Sequence, residues 1–119
     1  MVFGKEQMLK VHCQKLGTIT IIRLHGRIVT GELDVLRKAV YTQAVVDLVA
    51  LDFAGVTGVD ARGLGVMLEL REWALSLGID FFLINVGRLV RDVLEITRLN
   101  TVFKFSSQAE ILSAHRSVA

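Results

Sequence analysis

Apolar residues in this chain fall into two patterns, short continuous runs and repeats three or four residues apart. The runs are rich in β-branched residues and have the length of strands, whereas the wider spacing is typical of helices with one buried face. The runs predict strands over residues 8–14, 18–25, 47–53, 79–84 and 102–105. The wider spacing predicts helices over residues 34–41, 61–77, 88–97 and 108–115. Residues 1–7 are expected to be a frayed lead-in to the first strand.

The order of the predicted elements indicates an α/β fold, with one domain over residues 1–119. Only a short turn at Leu16-Gly17 separates the first two strands, so they should pair antiparallel. Strands then alternate with helices, and such connections are right-handed crossovers between parallel strands. We therefore expect a mixed, mostly parallel sheet of about five strands.

The most informative stretch is Val45–Leu77, where a buried strand leads into the longest helix. The strand is expected to end at Phe53 and to be followed by a glycine-punctuated turn over residues 54–59. Asp60 stands directly before the helix, and Asp is a favoured N-cap because its carboxylate accepts hydrogen bonds from the free N–H groups of the first turn. Gly78 suits the position just after the helix. In open α/β sheets, functional residues usually lie at this edge.

The helix over residues 61–77 carries apolar residues on two sides. At about 100° per residue, its core face should comprise Gly63, Val66, Met67, Leu70, Trp73, Ala74 and Leu77. Leu64, Leu68 and Leu75 lie nearly opposite that face. Either a neighbouring helix covers these leucines, or they form a partner-binding stripe beside Asp60. We expect at least Leu64 to be solvent-exposed or at a protein contact.

Composition and charge weigh against several classes of function. The chain has 14 Lys and Arg against 12 Asp and Glu, a formal charge of +2, and its cations are scattered, so no nucleic-acid binding is expected. No apolar run reaches the roughly 18 residues of a membrane span, and no signal-peptide core follows the N-terminal charges. The single cysteine, Cys13, cannot form an internal disulfide and should pack as a small apolar residue, which favours a cytoplasmic location.

The sequence lacks the motifs of catalysis and cofactor binding. Its three histidines have no metal-ligand spacing with the cysteine or with a carboxylate pair. It contains no phosphate-binding loop, no dinucleotide fingerprint and no nucleophile elbow. Asp52 is expected to hydrogen-bond the turn rather than to act with Asp60 as a carboxylate pair. We therefore expect no catalytic residue, no metal and no cofactor.

The segment Leu51–Gly65, LDFAGVTGVDARGLG, resembles the signature of STAS domains, the family of bacterial anti-sigma factor antagonists. In that family an apolar strand ends in Asp, a Gly-Val-Thr-like turn follows, and Asp-Ser-(Ser/Ala)-Gly-Leu-Gly opens a helix. The resemblance covers roughly residues 8–115 and implies a mixed sheet with helices on one side. It departs at one position, because the phosphorylatable Ser of the family falls on Ala61.

The resemblance implies a non-enzymatic protein-interaction module for bacterial transcription regulation, binding a kinase-like anti-sigma factor in a state that cannot be phosphorylated. The partner-binding residues it implies are Thr57, Asp60, Ala61, Arg62, Gly63, Leu64 and Leu68. Thr57 is either an alternative phosphoacceptor or a hydroxyl that bonds the turn, and Arg62 is either solvated or beside an acidic group or anion. The alternatives are an accessory subunit of a lipid-transport or stress-signalling complex and a domain that binds a small molecule. A homodimer is also left open.

Overall fold

The structure, a computed structural model, describes residues 8–115, so the lead-in predicted over residues 1–7 lies outside the described part. These residues form a single α/β domain. Its strands are β1 (Lys10–Leu16), β2 (Ile19–Ile28), β3 (Leu48–Val59), β4 (Asp80–Ile84) and β5 (Lys104–Ser106). Its α-helices are α1 (Leu33–Tyr41), α2 (Ala61–Ser76), α3 (Arg88–Ile96) and α4 (Gln108–His115), and a single 3-10 turn spans Leu99–Thr101.

The strands form one sheet in the order β1-β2-β3-β4-β5. β1 pairs antiparallel with β2, and every later pairing in the described chain is parallel. This confirms the mixed, mostly parallel sheet expected from the order of elements. Since β3 is the central strand, its carboxyl end and the start of α2 lie at the middle of one sheet edge.

The helices occupy both faces of the sheet. Leu36 of α1, Met67 of α2 and Leu94 of α3 belong to the main core cluster, together with odd-numbered residues of β3 such as Leu51. Ile111 of α4 instead packs in a second cluster that includes the even-numbered residue Ala50 and other residues of the same face. Because successive side chains of a strand point to opposite faces, α4 covers the face that α1 to α3 leave open. The expectation of helices on one side is therefore correct for three helices and wrong for α4.

The central strand is longer than the sequence predicted. β3 continues through the expected turn to Val59, which pairs with Ile28 of β2, a strand that also runs past its predicted end. Two register shifts interrupt this pairing, and glycines occur at the irregular positions. A Cβ atom on Gly55 would lie 2.5 Å from the Nδ1 atom of His25, so this glycine permits a close approach of two strands. The glycines read as a turn in the sequence are thus part of a bulged strand.

Helix α2 ends as the sequence predicted. Gly78 follows the C-cap residue with φ +73°, a conformation that glycine adopts without penalty. The amide of Ile79 bonds the carbonyl of Ala74 at 2.9 Å, and the amide of Gly78 bonds the carbonyl of Leu75 at 3.1 Å, which is a Schellman motif. Leu77 was expected on the core face but is 51% exposed, because it lies beyond the last helical residue.

Cys13 differs from expectation. It lies on the edge strand β1 and is exposed, rather than packed as a small apolar residue. Its neighbours in the strand alternate between the two sheet faces, and the outer edge of β1 pairs with no other strand among residues 8–115.

Within the same residues, no helix combines the length and the apolar character that crossing a membrane requires.

The second core cluster should make a measurable contribution to stability. We expect Ile111→Ala to lower the free energy of unfolding by about 2–5 kcal/mol, since Ile111 is almost fully buried against the sheet. Ile96→Ala is the matched control, because that side chain is also helical but 82% exposed, and its loss should change stability by less than about 0.5 kcal/mol. Equal urea midpoints for the two variants would show that α4 does not pack on the sheet.

Candidate functional site

Asp60 joins three segments at the carboxyl end of β3. Its Oδ1 atom accepts a hydrogen bond from the amide of Gly63 at 2.7 Å, which caps α2 as predicted. Its Oδ2 atom accepts from the amide of Thr30 at 2.9 Å and from the hydroxyl of Thr30 at 3.0 Å. Its own amide donates to the carbonyl of Ile28 at 3.2 Å. Asp60 therefore fixes the start of α2 to the end of β2 through its backbone amide and to the loop that leads to α1 through its side chain.

These hydrogen bonds stabilise the ionised form of the Asp60 carboxyl. The amides of Thr30 and then Gly63 hold the pKa of Asp60 below its ordinary value of 3.8. A carboxyl with a lowered pKa in the folded state contributes stability that is present above its unfolded pKa and is lost as the pH falls through its folded pKa. The hydrogen bonds of Asp60 form a joint between α2 and the loop at Thr30. This joint should therefore hold at neutral pH and loosen only in acid, below a pH of about 3.8.

Gly63 lets the first turn of α2 lie directly against the end of β2. A Cβ atom at this position would lie 2.0 Å from the carbonyl oxygen of Ile28, so no side chain fits. The neighbouring Leu64 is drawn into the main core cluster and is only 8% exposed. The expectation that Leu64 would be exposed is therefore wrong. The helical repeat predicts the direction in which Leu64 projects from α2. It does not predict how closely α2 approaches the sheet, which depends on Gly63.

The other leucines of the predicted stripe differ from one another. Leu68 is half-buried and packs against the main core cluster. Leu75, near the far end of α2, is 44% exposed. The three leucines thus range from buried to open and do not form a continuous exposed stripe. The sequence left open either cover by a neighbouring helix or an exposed stripe, and the burial of Leu64 and half-burial of Leu68 contradict the exposed stripe at these two positions.

The exposed part of the site is a polar rim, which we define as Thr30, Thr57, Asp60, Ala61 and Arg62. Ala61 and Arg62 form the first turn of α2, and both are exposed. The first helical turn contains no acidic residue, and the Asp60 carboxylate at the N-cap is already bonded to the amides of Gly63 and Thr30, so Arg62 is the charged group that the first turn of α2 itself exposes. The rim brings together four of the seven residues predicted to bind a partner. Gly63 and Leu64 lie beneath it, and Leu68 lies one turn further along the helix.

Arg62 borders a shallow polar cleft between the first turns of α1 and α2. The cleft has a volume of about 180 Å³ and is also lined by Thr30, Asp34 and Arg37. Asp34 lies 3.4 Å from Arg37, whereas no hydrogen bond or ion pair joins Arg62 to any of the described residues. The Arg62 guanidinium is therefore available to an acidic group from outside the chain.

Thr57 is an exposed residue of β3, not a turn residue. Its hydroxyl donates to the carbonyl of Gly26 on β2, with a long separation of 3.4 Å. The expected bond to the turn is therefore not formed, and the hydroxyl instead bonds the backbone of the neighbouring strand. Asp52 likewise bonds the backbone two residues on, through the amide of Ala54 at 2.9 Å, as the sequence predicted.

Sequence reasoning missed Thr30. It lies 30 residues before Asp60 and provides two of the hydrogen bonds to its carboxylate. The local signal was a Thr-Gly pair between a strand and a helix, which is typical of a turn. That signal places Thr30 in a loop but does not reveal its partner, because the pairing depends on the parallel crossover that returns β3 beside β2.

A group of polar and aromatic side chains holds α1 against α2 next to the rim. Arg37 donates to both carboxylate oxygens of Glu69, at 3.0 and 3.2 Å, and the hydroxyl of Tyr41 bonds the same carboxylate. The hydrogen bond from Arg37 is the main reason that the pKa of Glu69 is lowered. The rings of Tyr41 and Trp73 meet edge to face with centroids 5.2 Å apart. The cleft beside Arg62 therefore has a fixed wall.

Two glycines of α2 offer a direct test of the close approach. Gly63→Ala should lower the free energy of unfolding by more than about 1 kcal/mol, because the new methyl group overlaps the Ile28 carbonyl. Gly65→Ala is the matched control, because a Cβ atom there meets nothing within 4 Å, and it should raise the free energy of unfolding by about 0.5–1 kcal/mol. Denaturant unfolding of both variants measures the difference, and equal effects would contradict the described packing.

Comparison with known structures places this architecture among solved proteins. The chain is similar to an anti-sigma factor antagonist from Mycobacterium paratuberculosis, with a TM-score of 0.79 and 17% identity over 92% of this chain and 96% of that chain. It is similar to the anti-sigma factor antagonist SpoIIAA in its unphosphorylated form, with a TM-score of 0.76 and 18% identity over 92% of this chain and 99% of that chain. SLC26A9 matches with a TM-score of 0.70 and 19% identity over 89% of this chain but only 21% of its own. At these identities the similarity shows the fold.

The family follows from the sequence match. No curated protein matches this chain. The family model of the STAS domain matches residues 10–110, which include every strand of the sheet and the whole rim. That range covers well over half of the chain and agrees with the fold of the solved structures. The chain therefore belongs to the STAS domain family.

Proposed function

We propose that this chain is a non-enzymatic regulatory module that binds a kinase-like anti-sigma factor through the polar rim, in bacterial transcription control. The observation that carries the proposal is the exposed Ala61 at the N-terminus of α2, where the family resemblance places the phosphorylatable Ser. The similarity to two anti-sigma factor antagonists of matching length supports this function. A cytoplasmic location follows from the partner.

Ala61 determines how such a module would be regulated. Phosphorylation of a hydroxyl at this position would add about −1.5 to −2 charges to the rim. An alanine side chain accepts no phosphate, so no negative charge is added beside Arg62 and the helix N-terminus. The proposal is therefore a module held permanently in the binding-competent state, with its activity set by the amount of protein or by its partner.

The burial of Leu64 defines the kind of interface expected. A side chain that is 8% exposed cannot serve as the main anchor of a partner without leaving the core. Contact should instead come from the exposed Ala61 methyl group, the Thr57 hydroxyl and the free Arg62 guanidinium, with the half-buried Leu68 at the margin. An acidic group on the partner would match Arg62, which is unpaired among residues 8–115.

A second candidate is an accessory domain of a larger assembly. The match to SLC26A9, in which this fold accounts for 21% of the chain, supports a role of the STAS fold as one part of a larger protein. A lipid-transport or stress-signalling complex would be such an assembly. The two candidates differ in their dependence on Ala61, because only the first requires the helix N-terminus to meet a kinase-like protein.

Variants of Ala61 test the first candidate. Ala61→Asp should weaken binding to a kinase-like anti-sigma factor of the same organism at least tenfold in calorimetry, about 1.4 kcal/mol. The same change should leave the unfolding midpoint equal or slightly higher, since an acidic residue in the first turn of a helix is favourable. Ala61→Ser should bind like the unaltered chain until the partner and ATP phosphorylate it, and should then lose binding.

Ala109→Asp is the matched control for these variants. Ala109 is also an exposed alanine in the first turn of a helix, but that helix is α4 on the other face of the sheet. This variant should bind the partner normally. Equal binding by Ala61→Asp and the unaltered chain would contradict the proposed interface. Phosphate found on Thr57 after incubation with the partner and ATP would contradict the permanently active state.

A further inference from the structure

An open cavity lies on the face of the sheet that carries α4, and it shares no lining residue with the polar rim. Its volume is about 300 Å³, at the lower end of the range for small-molecule sites. The strand register places Lys10 opposite His25 and His12 opposite Arg23, so these four side chains share one face. Arg23 also donates to the side chain of Gln108 in the first turn of α4, at 3.1 Å, which places the cavity beside the start of that helix.

The negative charge in the cavity wall is already balanced. Asp52 is buried, and its Oδ1 atom accepts from the amide of Ala54 at 2.9 Å and from the side-chain amide of Asn85 at 3.1 Å. Its Oδ2 atom lies 3.6 Å from the Nε atom of Arg23. The charges of Asp52 and Arg23 therefore offset each other, and both side chains are held in place.

The other basic side chains around the Asp52–Arg23 pair have no acidic partner in the described part of the chain. Lys10, His12 and His25 are exposed, and none of them forms an ion pair with another of the described residues. All three line the same cavity, and among residues 8–115 Asp52 is its only acidic lining residue. An ammonium group and two imidazole rings thus face an open space without an acceptor for their N–H groups.

The backbone of β3 makes the space in which these groups meet. The pairing of β2 with β3 shifts by one residue between Arg23 and His25, and such bulges redirect side chains. The ring of His25 lies against Gly55, where a Cβ atom would come within 2.5 Å of Nδ1 and 2.9 Å of the Leu24 carbonyl. Ala54 adds only a methyl group to the cavity floor. The floor between the basic groups is therefore mostly carbon.

We infer that this cavity binds a small organic anion, in which a phosphate or carboxylate is attached to an apolar group such as an aromatic ring. The anion would accept hydrogen bonds from Lys10, His12 and His25, and the apolar group would cover Ala54 and Gly55. The site is independent of the polar rim, because the two lie on different parts of β3 and involve different residues. It would give the domain a second input, a metabolite, beside its protein partner.

Titration with three probes tests the inference by two-dimensional NMR of the ¹⁵N-labelled chain. Phenyl phosphate carries both the anion and the ring, inorganic phosphate carries the anion alone, and phenol carries the ring alone. We expect saturable amide shifts only with phenyl phosphate at millimolar concentration or below, confined to residues 10–12, 23–25 and 54–55. The amides of residues 61–64 should not move, so the result is separate from that of the proposed function.

Two exposed lysines on the same strand provide the matched variants. Lys10→Ala should weaken phenyl phosphate binding about tenfold, through loss of a charge-assisted hydrogen bond. Lys15→Ala should leave it unchanged, because Lys15 points to the other face of β1. His25→Ala should weaken binding as well. Equal binding of inorganic phosphate, binding of phenol alone, equal effects of the two lysine variants, or the absence of saturable shifts would each overturn the inference.

Discussion

The polar rim of this domain depends on the carboxylate of Asp60, which accepts hydrogen bonds from two segments that are far apart in the sequence. One oxygen caps α2 through Gly63, and the other holds the loop at Thr30. Among the described residues, no other side chain bonds both segments. The position of the first turn of α2 therefore depends on Asp60. Ala61 and Arg62 are presented to solvent because Asp60 fixes the turn behind them.

The same joint determines which side of α2 is hidden. With Asp60 bonded to both segments, α2 starts so close to β2 that only glycine fits at position 63, and Leu64 enters the core. The polar rim that remains exposed is small, and its cation, Arg62, forms no ion pair with another of the described residues. The chemical nature of Ala61 therefore matters, because a phosphate at this position would add about −1.5 to −2 charges to a small rim.

The sequence predicted those features that depend on neighbours in the chain. Asp60 could be identified as a cap because the amide that donates to it, that of Gly63, is three residues away, and Gly78 because helix ends have a local signature. Thr30 could not be identified, since its bond spans 30 residues. The face of the sheet that α4 covers could not be predicted either, because α4 is the last described element and no crossover to a later described strand fixes its face. Gly55 was misread as a turn, because a glycine that permits close strand approach looks the same in sequence.

The most direct test of this account follows the amide proton shifts of Thr30 and Gly63 by NMR as the pH is lowered. Because one carboxylate accepts from both amides, the account predicts that both signals move in a single titration with a shared midpoint below 3.8, the ordinary pKa of Asp. Two different midpoints, or a midpoint at or above that value, would show that Asp60 does not hold the two segments together.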